Sequence, residues 1–356
     1  MISIIGAGPA GSHLAYLLAK NNQEVSIYEE HKEIGNPVQC SGVITPALED
    51  ELKIKKDIII NRIKKVRFYA PSNNFFETKI KPDYVFDRAK LDQYIAELAK
   101  EAGAKFITKR FLDFKKNNGK YKLKFNEGLA DTDILVGADG PFSQVAKSAG
   151  LFNNRKFITG IQARADIKQH EKDTVDIFLG YGEFGWLIPE DEYTARIGVV
   201  SENSPKEDFD ALMKRCEAKF IGFQSGMIPL YNPKIQTQKN NVYLIGDAAT
   251  MVKAATHGSI LYSIMASKCL AKAITENQNY EDLWRKRIGL DLWLNLKIRN
   301  TLVKFSKEDY NKLVGYFSQE KLKNILAENV RDFPSKFIAK IILKEPRLLK
   351  YAFKAV

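Results

Sequence analysis

Near the start of the chain, Gly6-Ala7-Gly8-Pro9-Ala10-Gly11 separates a short apolar run, Ile2 to Ile5, from a helical pattern through Leu14, Leu17 and Leu18. A lone G-x-G-x-x-G is weak evidence. This one joins strand to helix within a unit of about thirty residues, and the second strand, Glu24 to Glu29, ends in a carboxylate. Gly6 permits the tight turn, Gly8 lets backbone approach a pyrophosphate, and Gly11 allows close helix–strand packing. The N–H groups around Ala10 and the positive helix end then suit phosphates. Glu29, with Glu30 beside it, is placed to accept from ribose hydroxyls. The competing reading is a glycine turn that binds nothing.

Two later turns bear on which dinucleotide this is. Asp133-Ile-Leu-Val-Gly137-Ala-Asp139-Gly140 runs a strand into a glycine turn, and Val242-Tyr-Leu-Ile-Gly246-Asp247 ends another strand in Gly-Asp before a long small-residue helix from Ser259. Three such pieces in this order resemble the glutathione-reductase-type FAD fold, in the branch containing para-hydroxybenzoate hydroxylase. The resemblance implies FAD, with Asp139 shaping the cofactor cleft and Asp247 contacting ribityl and pyrophosphate. It also implies that Gly258, Ser259 and Ile260 feed a helix N-terminus toward the flavin N1–C2=O edge. Asp87-Arg88-Ala-Lys-Leu91 resembles that branch's Arg-x-x-Leu element, whose Arg approaches FAD; a surface charge at a helix start is the alternative for Arg88.

The segment Pro37-Val-Gln-Cys40-Ser-Gly42 is similar to the Pro-x-x-Cys-x-Gly element of the geranylgeranyl reductase family, and Phe184-Gly-Trp186-Leu-Ile188-Pro189 to its Tyr-x-Trp-x-Phe-Pro tunnel motif. Residues 246–260 resemble its archaeal members, except that His257-Gly258-Ser259 stands where they carry three glycines. The likeness runs from residue 1 to about 275. It implies a reductase that saturates prenyl double bonds of archaeal-type ether lipids by hydride transfer from reduced flavin N5. Cys40 lies on the substrate side of the flavin with Trp186 and Pro189, and these three are the catalytic candidates; a packing role is the bland account of Cys40. Trp186-x-Ile188-Pro189 is also similar to flavin halogenases, so a monooxygenase or halogenase acting on a small aromatic or apolar substrate is the alternative. A non-catalytic FAD-binding protein is the second. No second nucleotide fingerprint is evident, which favours ferredoxin or a similar reduced carrier over NAD(P)H as donor. His257 is either an incidental surface residue or a group adding a hydrogen bond or charge beside the flavin. His13 and His31 read as structural, and Tyr181 as a tunnel or cofactor contact.

The elements that must position these residues are α/β in class. The expected architecture is a glutathione-reductase-type FAD-binding Rossmann domain over 1–60, 81–150 and 236–275, an antiparallel-sheet substrate domain over 61–80 and 151–235, and a basic helical segment over 276–356. In that last segment Trp284, Leu290, Trp293, Leu296 and Ile298 are the expected core anchors. The chain has 356 residues, is 45% hydrophobic and carries a net charge of +12, enough apolar content for a real core. Residues 281–356 hold 17 Lys/Arg against 9 Asp/Glu, most of that excess. Nucleic acid lacks support without a binding motif or basic loops interleaved with aromatics. Cys40, Cys216 and Cys269 have neither metal nor disulfide spacing, and no run of eighteen apolar residues occurs. A cytoplasmic protein is therefore expected. Lys336, Lys340, Lys344, Arg347, Lys350 and Lys354 recur along one side of a helical pattern broken at Pro346, with Phe337, Ile341, Leu348 and Phe353 among the apolar positions. That suits docking on an anionic membrane surface; packing of the apolar side on the protein is the competing account. Oligomeric state is not legible.

Overall fold

The computed structural model describes residues 1–117 and 119–352, with side chains to Tyr351. Lys354 and Phe353 lie outside the described residues.

β1 (Ile2–Ile5) is buried throughout, as expected of a strand covered on both faces. It lies between β2 (Val25–Glu29) and β10 (Ile134–Gly137); β6 (Lys105–Thr108) and β17 (Val242–Leu244) extend this parallel sheet, and β16 (Gln238–Lys239) adds an antiparallel edge. Helices α1 (Pro9–Lys20), α2 (Arg88–Glu101) and α5 (Ile260–Thr275) pack together beside it through Leu14, Leu18, Ile95, Leu261 and Leu270. The strand ends, rather than the helix faces, are thereby left to form a site.

The second sheet has eight strands in the order β15-β11-β14-β13-β12-β4-β5-β3. They are β3 (Val43–Ile44), β4 (Ile59–Tyr69), β5 (Phe75–Phe86), β11 (Phe157–Asp166), β12 (Thr174–Phe178), β13 (Phe184–Pro189), β14 (Thr194–Ser201) and β15 (Lys219–Pro229). The sheet is antiparallel except where β12 runs parallel to β4, which joins the early hairpin to the later strands. Residues 43–44 and 81–86, expected with the nucleotide-binding segments, belong here because β5 stays paired with β4 as far as Phe86, across two register shifts. A third sheet of β7 (Phe111–Asn117), β8 (Lys120–Phe125) and β9 (Leu129–Thr132), with α3 (Gln144–Ser148) beside β7, was not foreseen. α4 (Pro205–Arg215) packs Phe209 and Leu212 on the large sheet.

After α5 the chain is helical, as expected: α6 (Tyr280–Trp284), α7 (Leu290–Leu302), α8 (Lys307–Phe317), α9 (Glu320–Glu328), α10 (Ile338–Lys344) and α11 (Leu349–Ala352). Trp284 is a core residue, but Leu290 and Trp293 are exposed and Leu296 and Ile298 only half-buried. α7 instead buries Asp291, Leu292, Asn295 and Arg299, a stripe in which Asp291 and Arg299 serve partners elsewhere in the fold and Asn295 donates back to the Asp291 carbonyl. Phe337 and Ile341 pack on Leu322 and Ile325, so the terminal segment does bury apolar side chains on the protein, while Leu343 and Leu349 stay exposed.

Candidate active site

One cavity of about 1230 Å³ runs between the two large sheets. Its first end is built from backbone. Gly6 has φ +99°, and a Cβ there would run into the Ala138 carbonyl; a Cβ on Gly11 would strike the Gly6 carbonyl. Gly11 therefore serves the packing of turn on helix and does not line the cavity. A Cβ on Gly8 meets no atom within 4 Å, so this glycine keeps space free above the N-terminus of α1, where no side chain caps the first turn. Ala10 also lines this end. Glu29 accepts from Ala7 N through Oε2 (2.8 Å) and from His31 N through Oε1 (3.0 Å), and the His31 ring nitrogen lies 2.8 Å from that same Oε1. Glu30 and His31 complete the rim. His31, expected to be purely structural, thus stands at the carboxylate. His13 is structural: buried, it meets Ser267 at 2.6 Å, and burial pushes its pKa down to about 3.

Four residues then converge from four segments. Arg88 opens α2 beside the Asp87 cap and donates to Asp92 at 2.8 and 3.1 Å. Burial works against its charge, but Asp92 and the neighbouring Cys40 hold the guanidinium above its usual value. The helix-start surface charge is thereby excluded, and the buried Arg88 Nε has no partner among the described residues. Cys40 Sγ accepts from Gly42 N at 3.4 Å. Burial raises the Asp247 carboxyl, with Ser259 and Arg88 opposing. Asp139 is occupied locally: it accepts from Ser143 Oγ at 2.5 Å and Val145 N at 3.0 Å, fixing the turn that places Gly140 and Phe142 on the wall. Gly258, Ser259 and Ile260 line the cavity where α5 begins, again with no side-chain cap.

The other end is apolar. Val66, Phe68, Ile80, Ile177, Trp186 and Ile188 line it. Trp186 donates to Gln162 at 2.9 Å, and Gln162 in turn donates to Gln224 at 2.7 Å, so the indole is fixed in place. Its ring lies against Gly198, where any Cβ would collide with it. Pro189 is a correction: it lies outside the lining, paired with Ala195 at the far end of β13, and its carbonyl accepts from Asn61. Strand alternation turns Ile188 inward and Pro189 away. Tyr181 packs on Phe178 and Arg215 rather than on the cavity.

Charged residues that the sequence reading left unassigned close this end. Lys253 pairs with Asp332, Arg331 with Asp83, and Arg299 with Glu183. Thr45 and Tyr262 also donate to Asp332. Burial pushes the Lys253 amine downward. Lys253 had a signal, a lone cation in the apolar run Met251-Val-Lys-Ala-Ala; Asp332 and Arg299 had none. The helical segment after 276, expected to supply core anchors and a basic surface, also supplies part of the wall, including Leu326, Val330 and Phe337. The described residues contain no group of His, Cys, Asp and Glu able to hold a metal ion.

A family model described as an NAD(P)-binding Rossmann-like domain matches residues 4–40. A digeranylgeranylglycerophospholipid reductase of Methanothrix thermoacetophila is 29% identical, covering 90% of this chain and 91% of that protein. One of the same name from Methanocaldococcus jannaschii is 28% identical over 98% of this chain and 96% of its own length. Among solved structures, a geranylgeranyl bacteriochlorophyll reductase-like protein from Thermoplasma acidophilum superposes with a TM-score of 0.86 at 24% identity, covering 100% of this chain and 98% of its own. The flavin-dependent brominase Bmp2 superposes at 0.75 with 18% identity, over 99% of each chain. The chain thus shares the glutathione-reductase-type flavoprotein fold and is similar along nearly its whole length to proteins named digeranylgeranylglycerophospholipid reductase.

Proposed function

We propose that the chain is an FAD-dependent reductase that saturates prenyl double bonds of geranylgeranyl-type membrane lipids. The observation that carries this reading is the continuity of one cavity from a glycine-built nucleotide end to an apolar end fixed by Trp186. The residues present fit FAD: open space at Gly8, the oriented carboxylate of Glu29, the buried unpartnered Arg88 Nε and the buried Asp247. Bound and reduced, FAD supplies hydride chemistry.

The chain's own contribution is positioning and exclusion of water. An unactivated alkene offers no carbonyl to polarise, so an apolar wall that holds an extended chain does what hydrogen-bond donors do elsewhere. Cys40, beside Arg88, marks where the two ends meet. Electrons come from a reduced carrier such as ferredoxin, with NAD(P)H as the other candidate. The basic segment around Lys340, Lys344 and Arg347 seats the enzyme on an anionic membrane surface, consistent with the lack among the described residues of any helix able to cross a bilayer.

The test is spectroscopic. The protein is loaded with FAD and reduced anaerobically with two electrons per FAD, and a geranylgeranyl lipid is added. Return of the oxidised flavin absorption supports the reading; a spectrum unchanged until oxygen is admitted refutes it. Consumption of that oxygen with product oxygenation or halogenation supports the monooxygenase–halogenase reading, which the fold shared with the brominase favours.

A further inference from the structure

His257 is the residue whose backbone and side chain are both out of the ordinary. Its φ is +54°, a left-handed conformation costing a non-glycine residue roughly 1 kcal/mol. The side chain is only 3% exposed and faces Glu183, with Nε2 at 3.1 Å from the carboxylate. Arg299 grips the same carboxylate through two nitrogens, and Phe184 stacks on the imidazole at 5.8 Å. The ring cannot turn without breaking these contacts. Its other nitrogen, Nδ1, is buried and has no partner among the described residues, and His257 lines the cavity beside Gly258 and Ser259.

Tautomer follows from the partner. A carboxylate only accepts, so Nε2 carries the proton that Glu183 receives, and Nδ1 of the neutral ring is a bare lone pair. Protonation at Nδ1 turns that acceptor into a donor carrying positive charge. The neighbouring start of α5 adds to this. Its first turn holds no acidic residue and Ser259 makes no capping bond, so the positive end of a sixteen-residue helix meets the cavity at the same wall. Such a wall suits a planar ring that gains negative charge when reduced.

We propose that His257 is a cofactor-contacting residue that couples protonation at Nδ1 to reduction of the bound ring. This rests on the FAD reading above. Two electrons would come from the reduced carrier and two protons from solvent; one proton would go to the hydride-donating position of the ring and the other to Nδ1, so that the imidazolium, held against Glu183, faces the single negative charge the ring retains. The other charged or titratable groups around it are Arg299 on α7, Glu202 bound to Arg299, Lys253, whose carbonyl accepts from His257 N, and Tyr310 from α8. Glu183 is held below the ordinary carboxylate range by His257 and Arg299, against the effect of burial, so it remains an anion through the neutral range.

The experiment measures the midpoint potential of bound FAD against pH in wild type, His257→Gly and Glu183→Gln. Glycine suits the left-handed backbone, so His257→Gly is expected to melt at or above the wild-type temperature. It should favour reduced over oxidised FAD about tenfold less, a fall of about 30 mV. Its potential should also depend less steeply on pH than that of wild type. Glu183→Gln should move in the same direction by less. Should His257→Gly fail to fold, His257→Asn takes its place, because Asn tolerates this conformation. Potentials and slopes equal to wild type in a folded variant overturn the proposal. Failure of every variant and of wild type to bind FAD overturns the cofactor reading instead.

Discussion

The two ends of the cavity are built on different principles. The nucleotide end begins in backbone: Gly6, Gly8 and Gly11 shape a turn between consecutive elements, and the oriented carboxylate of Glu29 sits on the next strand. The apolar end is made of side chains from segments far apart in sequence, including β4, β13, Lys253 and the stretch 329–332. Ion pairs tie that last stretch in place: buried Asp332 to Lys253 after β17, and partly exposed Arg331 to Asp83 on β5. The first end is a local structure that survives changes elsewhere; the second exists only when the C-terminal helices are docked. Cofactor binding and substrate holding should therefore fail separately.

The largest effect expected of a single change is at Gly8. Gly8→Val fills space that no protein atom occupies, so the fold should stand while FAD affinity falls by more than about a hundredfold. Fluorescence titration with FAD measures it. Retained binding would show that the cavity's first end is not the nucleotide end.

The converse experiment breaks the apolar end alone. Asp332→Ala leaves the buried Lys253 amine, whose charge burial already disfavours, without its carboxylate, and loss of one partner of such a pair costs up to about 3–5 kcal/mol. Lys253→Met combined with Asp332→Leu removes both charges and should recover most of that stability. Denaturant unfolding checks this, and equal destabilisation by the single and double variants would show that the pair does not dock the segment.

A smaller effect belongs to the scaffold beneath the nucleotide end. His13 has its pKa pushed by burial from an ordinary 6.5 to about 3 in the folded protein. The unfolded chain therefore takes up the proton first, and stability is lost as pH falls through 6.5 toward 3. At about pH 5 the loss should reach about 2 kcal/mol, and His13→Gln should lack it. Parallel pH dependences in wild type and variant would show that His13 does not titrate differently on folding.

The smallest effect is at the surface. Lys340, Lys344 and Arg347 changed together to Glu should weaken sedimentation with anionic vesicles several-fold, with each charge worth about 1 kcal/mol at most near the membrane. Arg347 is engaged with Glu345 at 2.8 Å, which lowers its share. Equal sedimentation of the two proteins would leave the segment as a docked helix and nothing more.

The same contrast explains how much was legible in the sequence. Gly6, Gly8, Gly11 and Glu29 announce themselves by spacing, because consecutive elements place them, and the structure finds them in those positions. Cys40, Arg88 and Asp247 were singled out through motif likeness, and the structure puts all three on the lining of one cavity. Pro189 was misread because a motif does not say which strand face each member occupies. Asp332, Arg331 and Arg299 were invisible because partners 79, 248 and 116 residues away choose them. Trp293 and Leu290 were misplaced for a related reason: α7 turns its polar stripe inward to reach Glu183 and the backbone of Ser335, overriding the hydrophobic pattern.

Whether the apolar end holds a prenyl chain for reduction is most directly measured by mass spectrometry of a geranylgeranyl lipid incubated anaerobically with the FAD-loaded, chemically reduced protein. The expected product carries two additional hydrogens for each double bond saturated, and forms with wild type but not with Gly8→Val. Recovery of the lipid at its original mass, from protein that has bound both FAD and lipid, would contradict the account.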